Sequence, residues 1–165
     1  MKKKSTTAKV YVFKVALKGA KRIWRRIAIR SDQTLDELHQ AIFDAFDRSD
    51  EHLYSFYLPP LESRERARLR DATEYTHPSA AEVPGPFADE PINNAAQTKI
   101  ADLRLVKGQR FDYLFDFGDS WWHELTVEQT EGEPSAGEYP LIIEVRGESP
   151  PQYLESDEDE AEEED

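Results

Sequence analysis

Hydrophobic and polar positions at the start of the chain alternate with a period of two, which is typical of β-strands. Residues 9–17 and 22–30 both show this alternation, and the glycine-containing turn KGAK separates them. They predict a β-hairpin. One face of its second strand carries Ile23, Arg25, Ile27 and Ile29, and the other carries Trp24, Arg26, Ala28 and Arg30. Arg25 is therefore a charged residue on an isoleucine face.

A helical pattern follows the hairpin. Thr34 lies three residues before Glu37, which is the spacing of a capping box, and apolar residues then recur at helical spacing. These residues are Leu35, Leu38, Ile42, Phe43 and Phe46. They predict a helix over 34–47 that packs on the sheet of the hairpin. His39 lies at the margin of the apolar stripe, where we expect a packed or partly exposed side chain and not a ligand.

Alternation returns further along the chain. Residues 51–58 predict a third strand. Residues 59–97 contain six prolines and few large apolar residues, so they predict an insert without regular structure apart from a helical turn or two in ESRERARLRD. A short helical turn is expected after Thr98. Residues 110–117 and 121–128 alternate on either side of Gly-Asp-Ser. They predict a second hairpin, and one long strand with a glycine bulge is the alternative.

The order of these elements predicts the fold class and the domain organisation. Two strands, a helix and further strands, with YPLIIEV as a last short strand, indicate an α+β fold: a single mixed or antiparallel sheet with one main helix packed on it. A β-grasp-like arrangement is one compatible topology. We expect a basic N-terminal arm at 1–8, one domain at 9–154 that carries the insert, and a disordered acidic tail at 155–165.

Charge and composition change this picture in two places. The last eleven residues hold nine carboxylates. Without these eleven residues the formal net charge is -4 and not -13, so the rest of the chain is only mildly acidic. The chain has no cysteine, which excludes disulfides, thiolate zinc sites and a cysteine nucleophile. It also lacks an apolar run long enough to cross a membrane and the hydrophobic segment of a secretory signal, so we expect a cytoplasmic protein without a membrane partner.

The segment FDFGDSWWHEL holds the densest candidate chemistry. Asp116, Asp119 and His123, with His52, could supply oxygen and imidazole ligands for Mn, Fe or Zn and so support metal-dependent hydrolysis. The four histidines are scattered, however, and none has the spacing of a metal-binding pair. The alternative is structural: Asp119 caps a turn at Gly118 through backbone N–H groups, and His123 packs beside the neighbouring Trp121. The letters DFG do not indicate a kinase, because the phosphate loop, strand lysine and catalytic loop are missing.

Two further features concern arginines of the first hairpin. A buried Arg25 needs a carboxylate or several carbonyl groups, and Asp116 or Asp119 is the expected partner. The hairpin also concentrates lysines and arginines, including Arg26, around Trp24. Basic residues beside an aromatic ring can contact nucleic acid, whereas a solvated strand face is the alternative.

Together these motifs resemble a known family. IWRRIAI, TLDELHQAIFDAF, SDEHLYSFYL, YLFDFGDSWWHELTVE and YPLIIEVRGESPPQY, in this order, are similar to the plasmid pRiA4b ORF-3-like family, whose members are also labelled as passenger proteins of bacterial insertion elements. The chain lacks the cysteine-containing segment found in many members. The resemblance carries over a set of signature positions, which are Trp24, Arg25, Arg26, His39, His52, Asp116, Gly118, Asp119, Trp121 and His123.

The resemblance implies no established reaction. We therefore expect a non-enzymatic interaction or accessory protein of bacterial mobile elements, without a cofactor, a bound metal or a catalytic residue. Its expected partner is an unidentified protein. A metal-dependent hydrolase and an accessory nucleic-acid-binding protein remain the alternatives.

Overall fold

The computed structural model of the protein describes residues 8–61, 69–81 and 93–153. These residues build one eight-stranded mixed sheet with the order β5-β4-β3-β6-β7-β1-β2-β8. The strands are β1 (Val10–Leu17), β2 (Ala20–Arg30), β3 (Tyr54–Leu58), β4 (Thr73–Thr76), β5 (Asn93–Asn94), β6 (Arg110–Phe115), β7 (Trp121–Gly132) and β8 (Leu141–Arg146). Neighbouring strands are antiparallel except β4 and β5, which are parallel.

Helical structure is sparse. The main helix, α1 (Leu35–Ala45), follows β2, and α2 (Pro78–Ala81) is a single turn. Two 3₁₀ turns, at Ala95–Gln97 and Ile100–Leu103, precede β6. The apolar stripe of α1 packs against the aromatic and aliphatic side chains of one sheet face, including Phe13, Ile27 and Phe111. No helix in the described ranges has the length and apolar character to cross a membrane.

The predicted capping box of α1 is confirmed. The Thr34 hydroxyl accepts a hydrogen bond from the Glu37 backbone N–H at 3.2 Å, and the Glu37 carboxylate accepts one from the Thr34 N–H at 3.2 Å. Two N–H groups that the first helical turn leaves without a partner are thereby satisfied.

Removal of this cap should destabilise the protein moderately. Thr34→Ala should lower the free energy of unfolding by about 1 kcal/mol, because the Glu37 N–H loses its acceptor. The exposed strand residue Thr73 provides a control, and Thr73→Ala should cost less than about 0.5 kcal/mol. Urea denaturation followed by tryptophan fluorescence measures both. Equal losses in the two variants would contradict a stabilising cap.

The predicted fold class is wrong. An α+β fold with one helix packed on a single sheet, in a β-grasp-like arrangement, understates the sheet: eight strands span it, and α1 is the single long helix of the described residues. The excess over the six predicted strands comes from β4 and β5, which lie in the supposed insert. β5 is only two residues long and pairs with β4, from which it is separated along the chain. It is too short to show an alternating pattern in the sequence.

Individual elements agree better with the sequence. Both predicted hairpins form, β1 with β2 and β6 with β7, and β8 occupies the predicted last strand. The expectation that 59–97 lacks regular structure is wrong in its described part. The helical turn predicted in ESRERARLRD falls largely on 62–68, outside the described residues. The acidic tail expected at 155–165, and the arm expected at 1–8 except for residue 8, also lie outside them, so the domain organisation stays a prediction.

Candidate functional site

The hairpin between β6 and β7 turns through residues 116–120, the centre of FDFGDSWWH. Asp116 and Ser120 both have left-handed backbones, with φ of 66° and 56°. The Asp116 carboxylate accepts hydrogen bonds from the backbone N–H groups of Gly118 at 3.1 Å and Asp119 at 3.2 Å. The structural reading was therefore right about side-chain capping and wrong about the residue, because Asp116 and not Asp119 caps the turn. Asp119 lies exposed at its tip.

The C-terminal end of the described chain packs beside this turn. Gln152 accepts hydrogen bonds from the backbone N–H groups of Ser49 and Asp50, at 2.9 and 3.1 Å, and donates to the Asp50 carbonyl. The Tyr153 hydroxyl donates to the Asp50 carboxylate at 3.0 Å and lies 2.9 Å from Nε2 of His52. The same nitrogen of His52 lies 3.5 Å from the Asp116 carboxylate. Chain segments 49–53, 116–120 and 150–153 thus meet at one place.

Arg48 enters this region from the end of α1. Asp47 has a left-handed backbone, and the N–H groups of Asp47 and Arg48 donate to the carbonyls of Asp44 and Phe43. These are the two hydrogen bonds of a Schellman motif, which ends the helix and reverses the chain. The reversal places Arg48 under the sheet, where it is 8% exposed.

Aromatic rings surround the Arg48 guanidinium. Its central carbon lies 4.9 Å from the ring centre of Phe115, 5.3 Å from that of Trp121 and 5.4 Å from that of Phe46. Its Nη2 donates to Nε2 of His123 at 3.0 Å. Burial lowers the pKa of Arg48 to about 10. The nearby Tyr113 hydroxyl and Asp116 carboxylate raise this pKa and offset part of the effect of burial.

Two buried donors in this cluster have no hydrogen-bond partner among the described residues. They are Nη1 of Arg48 and the indole Nε1 of Trp121. Arginine and the indole N–H can only donate hydrogen bonds, so a group that satisfies them must be an acceptor. Unpaired buried polar groups are rare in folded proteins because each costs free energy, and such groups commonly mark a bound water, an ion or a functional site.

His123 supports Arg48 in its neutral form. It is fully buried, its Nδ1 lies 3.4 Å from the Tyr113 carbonyl, and its Nε2 accepts from Arg48. Burial first, and then the Arg48 charge, hold the pKa of His123 well below its usual range. A further chain of contacts runs outward, because the Tyr113 hydroxyl lies 2.6 Å from Nδ1 of His39 and Nε2 of His39 lies 3.1 Å from the Glu51 carboxylate.

The buried neutral His123 predicts an acid-sensitive fold. Below pH 6.5 the unfolded chain binds a proton at this histidine and the folded chain does not, so stability falls as pH falls, by about 1.4 kcal/mol per pH unit. His123→Asn retains an acceptor for Arg48. The free energy of unfolding should then change less steeply with pH, by the contribution of about one bound proton. Urea denaturation at a series of pH values measures the slope. The same slope in both proteins would contradict a buried neutral His123.

A cleft opens where the β1–β2 turn faces the Asp116 turn. Its volume is about 1020 Å³, the upper end of the range of small-molecule sites, about 300–1,000 Å³. Its polar and aromatic walls are provided by Lys18, Asp119, Ser120, Trp121, Trp122, Gln152 and Tyr153. Trp122 stacks near Tyr57 with ring centres 5.6 Å apart, and the Lys18 ammonium lies 5.3 Å from the Trp122 ring centre. Trp121 belongs both to the cleft wall and to the aromatic surroundings of Arg48.

Arg25 has a different environment from the one expected. It is 1% exposed, and the predicted partners Asp116 and Asp119 do not bind it. Its guanidinium donates instead to the carbonyls of Ala45, Trp24 and Arg146 at 2.7, 2.9 and 2.8 Å, and to the Ser149 hydroxyl at 2.6 Å. These bonds join the C-terminal end of α1 to β2 and to the segment after β8.

Trp24 and Arg26 lie on the sheet face opposite α1, away from the cleft. Arg26 pairs with the carboxylates of Glu128 and Glu144, and its guanidinium lies 4.9 Å from the Trp24 ring centre. Lys18 forms an ion pair with Asp112 at 2.9 Å. Carboxylates of neighbouring strands thus neutralise much of the basic hairpin, which weakens the nucleic-acid alternative.

The sequence-predicted metal cluster does not assemble. His52 and Asp116 approach each other, but Asp119 is exposed and both nitrogens of His123 contact protein groups. Within 8–61, 69–81 and 93–153 no group of three or more histidine and acidic side chains has a geometry that could hold a metal ion.

Sequence reasoning missed several residues of this region. Arg48 follows the end of the apolar stripe of α1, where a basic residue carries no signal. Lys18, Trp122, Gln152 and Tyr153 are brought to the cleft by sheet pairing and by the return of the C-terminal segment. The adjacent tryptophans Trp121 and Trp122 could have indicated the cleft. They lie on opposite faces of one strand, so both rings cannot enter the core on the α1 side of the sheet.

Comparisons with known proteins place this geometry in a family. A family model described as plasmid pRiA4b ORF-3-like protein matches residues 9–156. The uncharacterised protein y4hQ of Sinorhizobium fredii is 29% identical over 131 residues, which cover 79% of this chain and 58% of that protein. The crystal structure of MM3350, a protein of unknown function from Methanosarcina mazei Go1, superposes with a TM-score of 0.68 at 25% identity, covering 89% of this chain and 74% of that one. The chain therefore spans little more than half the length of the curated relative.

Proposed function

The chain belongs to the plasmid pRiA4b ORF-3-like family, and from that premise we propose that it is a non-enzymatic binding domain whose ligand occupies the cleft between the β1–β2 turn and the Asp116 turn. The plasmid in the family's description supports a role accessory to mobile elements. We also propose that the protein is located in the cytoplasm. Its lack of cysteine, and therefore of disulfides, agrees with a reducing compartment.

One observation carries the proposal. The cleft is large enough for a small organic molecule or a peptide segment, and two tryptophans with a lysine form its wall. Tryptophan supplies a large apolar surface with little conformational entropy to lose, and it is among the residues that most often dominate binding energy.

The surroundings of the cleft favour binding over hydrolysis. Asp116 uses one carboxylate oxygen on backbone N–H groups of its own turn, and the neighbouring His123 lies buried against Arg48. His52 lies at the rim, in contact with Tyr153. These side chains are engaged in holding the cleft walls, so the structure supports their role as a scaffold.

Mapping of fragment binding tests the proposal. Aromatic fragments, both neutral and charged, should shift the amide resonances of cleft residues in the ¹⁵N-labelled full-length protein. Trp122→Ala removes one wall and should weaken binding by at least about tenfold, since truncation of a dominant interface tryptophan costs about 2 kcal/mol. Trp24→Ala is the matched control, because Trp24 also lies beneath a lysine, at 4.8 Å, but not in the cleft.

The outcomes separate clearly. Shifts that cluster around Lys18, Trp121 and Gln152 and disappear in Trp122→Ala, with Trp24→Ala unchanged, support the proposal. Fragment-induced shifts scattered over the surface, or equal losses in both tryptophan variants, would show that the cleft is not a binding site.

A further inference from the structure

The cleft and the buried Arg48 share Trp121, and this juxtaposition indicates what the cleft accepts. Trp121 lines the cleft, and its ring centre lies 5.3 Å from the Arg48 guanidinium carbon. Both side chains have a buried donor, Nη1 of Arg48 and Nε1 of Trp121, that lacks a partner in the described part of the chain. The two unsatisfied donors therefore belong to neighbouring side chains at the cleft wall.

We propose that these two donors bind the carboxylate of a ligand whose aromatic or apolar body lies in the cleft against Trp121 and Trp122. The inference rests on the proposed binding function and names the class of ligand. Arg48 and Trp121 each supply an N–H donor, so one carboxylate oxygen can accept a hydrogen bond from Arg48 and the other can accept one from Trp121.

The buried charge of Arg48 favours an anion at the two donors. Arg48 is a buried cation, and the described residues provide no ion-pair partner for it; its hydrogen bond goes to the neutral side chain of His123. A carboxylate in contact with Arg48 would neutralise this charge inside aromatic surroundings, where electrostatic attraction is stronger than in water.

The number of donors favours a carboxylate over a phosphate. Nη2 of Arg48 donates to His123, and the two buried nitrogens that lack a partner among the described residues are Nη1 of Arg48 and Nε1 of Trp121. A phosphate carries more charge and three acceptor oxygens, and the Asp116 carboxylate near Arg48 would oppose a second negative charge. A singly charged group with two oxygens fits this donor set.

Access requires a local movement. Both donor nitrogens are shielded from solvent, whereas the Trp121 residue is half-buried at the cleft. A rotation of the Trp121 side chain would admit the carboxylate to Arg48 and turn the indole N–H toward it. The indole resonance of Trp121 should consequently be the most sensitive reporter of binding.

The test uses two matched probes, benzoate and benzyl alcohol, which share a ring and differ in the carboxylate. The three indole N–H resonances of the ¹⁵N-labelled full-length protein are assigned with single tryptophan-to-phenylalanine variants. Benzoate should shift the Trp121 indole resonance in a saturable way, at least about tenfold more tightly than benzyl alcohol, and leave that of Trp24 unchanged. Trp121→Phe, which removes the indole N–H and keeps an aromatic ring, should weaken benzoate binding by at least about tenfold, the effect of one hydrogen bond to a charged group.

Arg48→Met separates the inference from the proposed function. In this variant the preference for benzoate should vanish while benzyl alcohol still shifts the Trp122 resonance as in the unmodified protein. Equal affinity for the two probes, or benzoate binding that survives Arg48→Met, would overturn the carboxylate assignment and leave the cleft as a binding site. A water contact at the Trp121 indole without a benzoate shift would assign the donors to a buried water and overturn it as well. If neither probe affects any cleft residue, the proposed function fails too.

Discussion

Arg25→Met should lower the free energy of unfolding by about 3–5 kcal/mol, because four acceptors lose a charged hydrogen-bond donor. Arg25 is 1% exposed and satisfies three backbone carbonyls and the Ser149 hydroxyl. Methionine keeps much of the side-chain volume but cannot donate, so the buried Ala45 carbonyl and three partly buried acceptors lose this donor, at about 1–3 kcal/mol each before relaxation. The loss includes the contact between α1 and the segment after β8.

Arg26→Met is the control for this result. Arg26 carries two carboxylate partners, Glu128 and Glu144, but lies on the partly solvated sheet face. Ion pairs in such positions contribute about 1 kcal/mol or less. Urea denaturation compares the two variants. Losses within about 1 kcal/mol of each other would contradict the assignment of Arg25 as the residue that fastens α1 to the sheet edge.

Arg48→Met should have the opposite consequence. The lowering of the Arg48 pKa from 12.5 to about 10 corresponds to about 3 kcal/mol by which the fold opposes this charge. The substitution removes that cost, leaves Nε2 of His123 without its donor, a loss of about 1 kcal/mol, and removes the cation–π attraction to the surrounding rings, a further loss of about 0.5–2 kcal/mol. The variant should therefore be at least as stable as the unmodified protein, by up to about 1.5 kcal/mol, while it loses its preference for a carboxylate ligand.

The same substitution at two buried arginines thus distinguishes a structural residue from a binding one. Stability retained at the expense of binding is the expected behaviour of a site whose residues are arranged for a ligand and not for the fold. A loss of more than about 2 kcal/mol in Arg48→Met would indicate that Arg48 stabilises the core. Calorimetric melting alongside benzoate titration measures both quantities on one preparation.

Local patterns predicted the local structure well. The capping box of Thr34 and Glu37 and the two hairpins depend on residues close in sequence, and they form where the pattern indicates. Arg25 was recognisable as an anomaly because alternation placed it among isoleucines. Its partners were not, since the carbonyls of Ala45 and Arg146 come from segments whose positions only the tertiary fold determines.

The extent of the sheet could not be read from the sequence for the same reason. β5 consists of Asn93–Asn94, two polar residues whose pairing with β4 is set by the surrounding fold. The candidate site shows a similar limit. Asp116, Trp121 and His123 belong to one motif, but Arg48 joins them across a distance of 75 residues from His123. No periodicity or short motif links such positions.

The proposed carboxylate site depends on which acceptor forms hydrogen bonds with Nη1 of Arg48 and Nε1 of Trp121. A crystal structure of the full-length protein grown with benzoate examines these atoms directly. We expect the carboxylate oxygens within about 3 Å of both nitrogens, with the ring in the cleft against Trp122. Benzoate bound elsewhere, or both nitrogens bonded to groups of the protein itself, would contradict the account.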